Sequence, residues 1–244
     1  MARKSGSKVL KRQAAPAFYS VPRKMYPFIT RTGPGPHPRN RSYDPVTLMR
    51  DILKIAYTRE EVLYILRKKR FLVDGVARVE PDFPVGLMDV VEFSATNNAY
   101  RMLPTKGSPV HPFPIPQNEK NIKLSQVLRK VTVRGAKVQL GTHDSRSFIV
   151  DDGSKVSVGD SLLITVPKQE IKEVVPMKKG YLALVIGGRR LGSYGEILEV
   201  IEGTFSNPRS VRLSLPEGEV ILPVSLVMPV GKEKPFVSLP VRRE

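Results

Sequence analysis

The chain has 244 residues, 41% of them hydrophobic, and carries 40 lysines and arginines against 23 aspartates and glutamates, a formal net charge of +17. That length and apolar content exclude a wholly disordered tail protein and allow two or three packed domains. The absence of cysteine excludes disulfides, thiolate zinc sites and a cysteine nucleophile; His37, His111 and His143 lie too far apart in sequence to suggest a metal cage, so neither metal nor cofactor is expected.

The charge is unevenly spread. No aspartate or glutamate precedes Asp44, whereas Arg3, Lys4, Lys8, Lys11, Arg12, Arg23, Lys24, Arg31, Arg39 and Arg41 put ten cations into the opening stretch. The remaining 30 cations and 23 carboxylates leave only +7 for the rest of the chain. A segment that cannot neutralise itself is matched by a polyanion, and nucleic acid fits better than a membrane. No run approaches the roughly 18 apolar residues of a spanning helix. Pro16, Pro22, Pro27, Pro34, Pro36 and Pro38 break both an amphipathic anchor and a mitochondrial presequence, and MARKSGSKVLKRQ lacks the apolar core of a secretory signal. The expectation is a soluble, cytoplasmic protein.

Residues 1–42 therefore read as an extended basic arm. Its Phe18, Tyr19, Tyr26 and Phe28 suit either base stacking or pinning of the arm onto its own protein. Asp44-Pro45 then supplies an N-cap and a first-turn proline, and Val46, Met49, Ile52, Leu53 and Ala56 at helical spacing predict a first helix. Thr58 three residues before Glu61 predicts the capped start of a second, with Val62, Leu63, Ile65 and Leu66 as its apolar face. This helix runs into Arg67, Lys68, Lys69 and Arg70. One or two cations would suffice to answer the negative end of the helix dipole, so four invite a further use.

Phe71-Leu72-Val73, the turn Asp74-Gly75 and Val76 to Val79 predict a hairpin, and Leu87 to Phe93 another strand. Beyond Phe93 helical periodicity is gone. Strands are predicted at Tyr100 to Leu103, Val127 to Val133, Lys137 to Leu140, Ser147 to Val150, Ser161 to Val166, Ile171 to Val175, Leu182 to Ile186 and Glu196 to Val200, with the proline-rich Ser108 to Pro116 as an extended connector. His143-Asp144 beside Thr142 and Ser145 could be read as hydrolytic, but adjacent turn residues do not define a nucleophile, a base and an oxyanion site; a turn whose histidine bonds backbone or RNA needs no extra parts. No catalytic constellation emerges.

Gly180 to Gly188, then Arg189-Arg190-Leu191-Gly192-Ser193-Tyr194-Gly195-Glu196-Ile197, pairs alternating strand residues with a glycine-rich basic turn and resembles a KOW motif. It lacks the helix and the lysine-serine or lysine-threonine pair of a P-loop. Val62 to Phe93 resembles the S-four-type RNA-binding domain. Lys8 to Pro16, Gly35-Pro36-His37-Pro38, Thr142 to Arg146 and Pro235 to Pro240 follow, in order, the signatures of the small-subunit ribosomal protein S-four-e family of archaea and eukaryotes, although Val9 stands where that family usually has histidine.

The resemblance implies an α+β multidomain protein: an extended arm (1–42), a small S-four-type α/β module (43–94), a central β-rich domain (95–175) and a KOW-type small β-barrel with a tail (176–244). It implies a non-enzymatic constituent of the small subunit that binds rRNA and neighbouring ribosomal proteins, with no membrane and no homo-oligomer. The early stop after Pro240 suggests the archaeal type. The expected RNA contacts are the ten arm cations together with His37, Arg67, Lys68, Lys69, Arg70, His143, Arg146, Arg189 and Arg190. An RNA-modifying enzyme or tRNA-recognition protein, and a KOW-containing elongation factor, are the alternatives.

Overall fold

The arm folds back on the protein rather than extending from it. The computed structural model describes residues 9–22, 24–96, 98–135, 137–151, 153–205 and 207–240. Within the arm, β1 (Leu10–Lys11) pairs antiparallel with β2 (Phe28–Ile29), and β3 (Ser42–Tyr43) pairs with β6 (Val85–Gly86). Tyr19 stacks on Tyr43 with centroids 5.2 Å apart, and Phe18 meets both rings edge-on. The two phenols donate to the Ser42 and Phe18 carbonyls at 3.0 and 3.2 Å. Leu10, Tyr19, Val21 and Ile29 thus join the core beneath the helices. Of the two roles the sequence left open for the arm's aromatics, pinning is the one Tyr19 performs.

Asp44 caps the first helix as expected, its carboxylate accepting from the Thr47 N–H at 2.8 Å. The helix itself is much shorter than its apolar spacing predicts. α1 (Pro45–Thr47) passes directly into a five-residue π-helical stretch, Leu48–Ile52, and stops. A cap and an amphipathic stripe start a helix but do not fix its winding; here burial of Val46, Leu48 and Met49 does. α2 (Arg59–Arg67) has the expected reciprocal capping box between Thr58 and Glu61, and it buries Val62 and Leu66.

The remainder is antiparallel sheet. β4 (Phe71–Val73), β5 (Val76–Ala77), β7 (Val90–Phe93), β8 (Asn98–Thr105) and β9 (Ser108–Ile115) form one sheet in the order β5-β4-β7-β8-β9. The pairing of β7 with β8 crosses the expected division at residue 94, so the hairpin β8–β9 completes the first sheet instead of opening a separate unit. The expected connector at Ser108 to Pro116 is in fact the edge strand β9. Pro112 and Pro114 face Met102 and Tyr100 at alternate positions, so the ladder needs none of their missing N–H groups, and only an edge tolerates this.

β10 (Ile122–Thr132), β11 (Val138–Thr142), β12 (Ser147–Val150), β13 (Ser161–Thr165) and β14 (Ile171–Val175) make a second sheet ordered β12-β11-β10-β13-β14. β15 (Leu182–Val185), β16 (Tyr194–Ile201), β17 (Ser210–Leu215), β18 (Gly218–Pro223) and β19 (Val227–Gly231) make a third, ordered β18-β17-β16-β15-β19. Met88, Leu103, Leu124, Leu163, Leu184 and Met228 share one apolar cluster, so the three sheets close on common ground.

Candidate nucleic-acid interface

The run Arg67 to Arg70 owes its presentation to the way α2 ends. Arg70 N–H bonds the Ile65 carbonyl at 3.2 Å and Lys69 N–H the Leu66 carbonyl at 2.9 Å, the paired bonds of a Schellman turn. Lys69 occupies its left-handed position, φ 55°, where glycine is the unstrained choice; a β-carbon there costs about 1–2 kcal/mol. All four side chains are exposed, and none is ion-paired to a described residue. Lys68 only leans over the Tyr64 ring, 5.6 Å from its centroid.

A second basic surface gathers around the glycine-rich turn. Gly188 and Gly192 adopt φ of 84° and 81°, and a β-carbon on Gly192 would sit 2.7 Å from the Pro104 carbonyl oxygen. Glycine thereby lets the turn lie against the β8–β9 loop. Lys106, Arg189, Arg190 and Tyr194 line a groove of about 710 Å³ between them. Arg189 is exposed, while Arg190 lies 3.9 Å from Glu217. Arg41 of the arm comes close by, its guanidinium 3.6 Å from where a Gly187 β-carbon would stand.

Among the other arm cations, Lys11, Lys24 and Arg39 are exposed and Arg31 is half-buried. Arg12 is turned inward, donating to the Val21 carbonyl through Nε at 2.8 Å and through a second, shorter bond. Arg3, Lys4, Lys8 and Arg23 lie outside the described residues.

His37, His143 and Arg146, expected as RNA contacts, lie away from both basic surfaces. They belong to a charge network at the junction of arm, first sheet and second sheet. At its centre is Lys123 on β10, fully buried, with its ammonium 2.7 Å from Asp74, 2.6 Å from Asp89 and 3.0 Å from Asp144. Arg146 pairs with Asp74 and lies 3.1 Å from Asp144 through Nε. His37, 6% exposed, approaches Asp89 at 3.0 Å. Hydroxyls of Ser125 and Thr142 donate to Asp144 at 2.7 and 2.6 Å, and the Val90 and Gly86 N–H groups donate to Asp74 and Asp89.

Electrostatics follow from that packing. Burial alone would raise Asp89 and Asp144, but Lys123 with the neighbouring histidines outweighs it and holds both below the usual carboxylate range. Burial would lower Lys123, yet its three carboxylates drive it well above an ordinary lysine. Burial carries His143 down to about 4. Its geometry agrees with a neutral ring: Nδ1 accepts from the Gln126 N–H at 3.1 Å, leaving Nε2 to donate to the Leu87 carbonyl at 3.1 Å.

Sequence reasoning missed Lys123 and the long-range roles of Asp74 and Asp89. The available signal was a lysine set between Ile122 and Leu124 in a strand-like segment. No described group of histidines and carboxylates has metal-holding geometry, and no described helix is long and apolar enough to cross a membrane.

Two family models match this chain, one described as ribosomal family S4e over residues 96–171 and one as the RS4NT (NUC023) domain over residues 4–40. The small ribosomal subunit protein eS4 of Ignicoccus hospitalis is 38% identical across 98% of either chain. The chain belongs to the ribosomal S4e family. The eS4 proteins of Aeropyrum pernix and Methanocaldococcus jannaschii are 36% and 37% identical across 98% of this chain, and 98% and 100% of their own. A crystal structure of S4e from Thermoplasma acidophilum superposes with a TM-score of 0.70 at 31% identity, covering 79% of this chain and 96% of that one.

Proposed function

We propose that this chain is a structural constituent of the small ribosomal subunit, holding rRNA against its two basic surfaces and meeting neighbouring ribosomal proteins with the rest. The observation that carries this reading is the Arg67–Arg70 run: four exposed cations without an ion-pair partner among the described residues, one accepting a left-handed backbone where glycine would be easier. Cations that neutralised the helix dipole alone would need only one or two of the four. The ribosome is the corresponding location, and the work is scaffolding rather than catalysis.

In this reading residues 1–42 are a basic arm, 43–94 an S-four-type module, 95–175 a central β-rich unit whose first hairpin completes the module's sheet, and 176–244 a KOW-type barrel with a tail. The five antiparallel strands β15 to β19, with the glycine-rich basic turn between β15 and β16, support the KOW assignment. The buried Lys123 network holds arm, module and central unit in register, so both surfaces are presented on a fixed frame.

The test replaces Arg67, Lys68, Lys69 and Arg70 with glutamine in the full-length protein and follows binding to purified small-subunit rRNA against salt. The logarithmic salt slope is expected to shrink by about 0.7–0.9 for each phosphate that the variant no longer neutralises. An unchanged slope rejects the assignment of this cluster to RNA.

A further inference from the structure

A third surface combines exposed aromatics with arginines and belongs to neither basic patch. Between the arm and the start of α2 runs a groove of about 640 Å³, within the range of small-ligand sites. One wall is the arm strand with Phe28 and Arg31; the other is the α2 entry with Tyr57 and Arg59, and the loop holding Asp82. Tyr57 is 84% exposed and Phe28 54%.

Tyr57 is the anomaly. It immediately precedes the N-cap Thr58, where an apolar residue ordinarily packs against the helix's fourth residue. That residue, Val62, is fully buried, yet Tyr57 does not cover it. The backbone is nevertheless fixed there, since the Tyr57 N–H donates to Glu61 Oε2 at 2.8 Å. A rigid mount with a solvent-facing ring suits stacking better than it suits the core.

Charge selects the occupant. The arm wall comes from a segment without a single carboxylate before Asp44, and neither Arg31 nor Arg59 is ion-paired to a described residue. We infer that this groove receives an unpaired nucleotide of RNA, its base against Tyr57 and Phe28 and its phosphate toward Arg31 and Arg59. Single-stranded RNA is bound in this manner, with aromatic faces taking unstacked bases and cations following the backbone. Asp82 repels phosphate and accepts from a base amino group, which orients the base edge toward it. The inference rests on the rRNA-binding reading above and adds a site that its basic clusters do not include.

The test uses full-length protein with an eight-nucleotide oligoadenylate and an eight-nucleotide RNA of abasic ribose, which keeps the phosphates and removes the bases. The wild type should prefer the base-bearing strand by roughly 5- to 150-fold, the equivalent of about 1–3 kcal/mol for one stacked base. Phe28→Ala with Tyr57→Ala should abolish that preference while leaving abasic affinity unchanged, and Tyr57→Phe should retain it. A wild type without base preference, or a double variant that keeps it, overturns the inference, as does equal loss of both ligands. In assembled subunits with a photoreactive phenylalanine in place of Tyr57, an RNA adduct is expected and an adduct to another ribosomal protein overturns it. If the wild type binds small-subunit rRNA with its salt slope intact but shows no base preference, only this inference falls. Failure to bind that rRNA at all removes the reading beneath it.

Discussion

Replacing Lys123 with methionine removes the ammonium at the centre of the junction and leaves Asp74, Asp89 and Asp144 buried together. Arg146 still reaches Asp74 and Asp144, but Asp89 keeps only His37 as a charged-group neighbour. Removing one partner from a buried ionic cluster costs about 3–5 kcal/mol, a large part of a stability of roughly 5–15 kcal/mol. At about 2–4 °C per kcal/mol for a chain of this size, Tm should fall by roughly 6–20 °C at pH 7.

The pH dependence is more diagnostic than the size of that fall. In the wild type, Asp89 and Asp144 are held low by Lys123 and its neighbours against the opposing effect of burial, so their contribution is complete above about pH 4 and lost as pH falls through their folded values. Lys123 is held high, so its contribution is present below about pH 10 and lost only as pH rises through its folded value. In Lys123→Met one of the charges that oppose burial is gone, so both carboxylates should rise from their wild-type values. The variant should therefore recover stability relative to the wild type between pH 7 and pH 5. Thermal unfolding of the full-length protein followed by circular dichroism at the two pH values measures both effects. A fall of less than about 2 °C at pH 7, or a gap that does not narrow at pH 5, would refute the account, given the size scaling of Tm.

Two further substitutions probe the frame. Burial lifts Asp44 to about 6 despite its bonds from Thr47, so its ionisation costs stability as pH rises from about 4 through that value. Asp44→Asn keeps an acceptor for the cap and should stabilise by about 1–3 kcal/mol at pH 8 with little effect at pH 4, read from denaturant midpoints. Gly192→Ala combines a left-handed φ of 81° with a β-carbon 2.7 Å from a backbone oxygen. It should cost about 2–4 kcal/mol and lift the Arg189–Arg190 turn off the β8–β9 loop, seen as lower stability and faster amide exchange around residues 104–106 and 189–193.

Where a local rule governs structure, the sequence was readable. The Thr58–Glu61 box gave the start of α2, Asp44-Pro45 gave a cap, Asp74-Gly75 gave the first hairpin, and Ser147–Val150 and Ile171–Val175 are strands over the predicted residues. Elements that depend on distant partners were not. Leu10 becomes a strand because Ile29 lies opposite it, and β9 is a strand because β8 supplies an edge on which prolines are tolerated. The aliphatic stretch from Val220 to Val230 holds parts of two strands at opposite edges of one sheet, a division that its local pattern does not show.

The candidate site divided along the same line. Arg67 to Arg70 and Arg189 are exposed, and none has an ion-pair partner among the described residues. His143 had a sufficient local explanation in a turn, and nothing local to His37 or Arg146 pointed to the carboxylates around Lys123, which lies 86 residues from His37 and 23 from Arg146. Charge alone cannot tell a cation that awaits a phosphate from one already enclosed by carboxylates. Only tertiary placement distinguishes them.

The prolines of β9 also bear on how the free protein behaves in a crowded solution. A sheet edge recruits another strand through its outward N–H and C=O groups, and this is the route by which β-rich chains polymerise. At Pro112 and Pro114 the outward positions carry a ring instead of a donor. An incoming strand would find two of its donors missing there, so β9 is a poor template for adding a further strand at that edge of the first sheet.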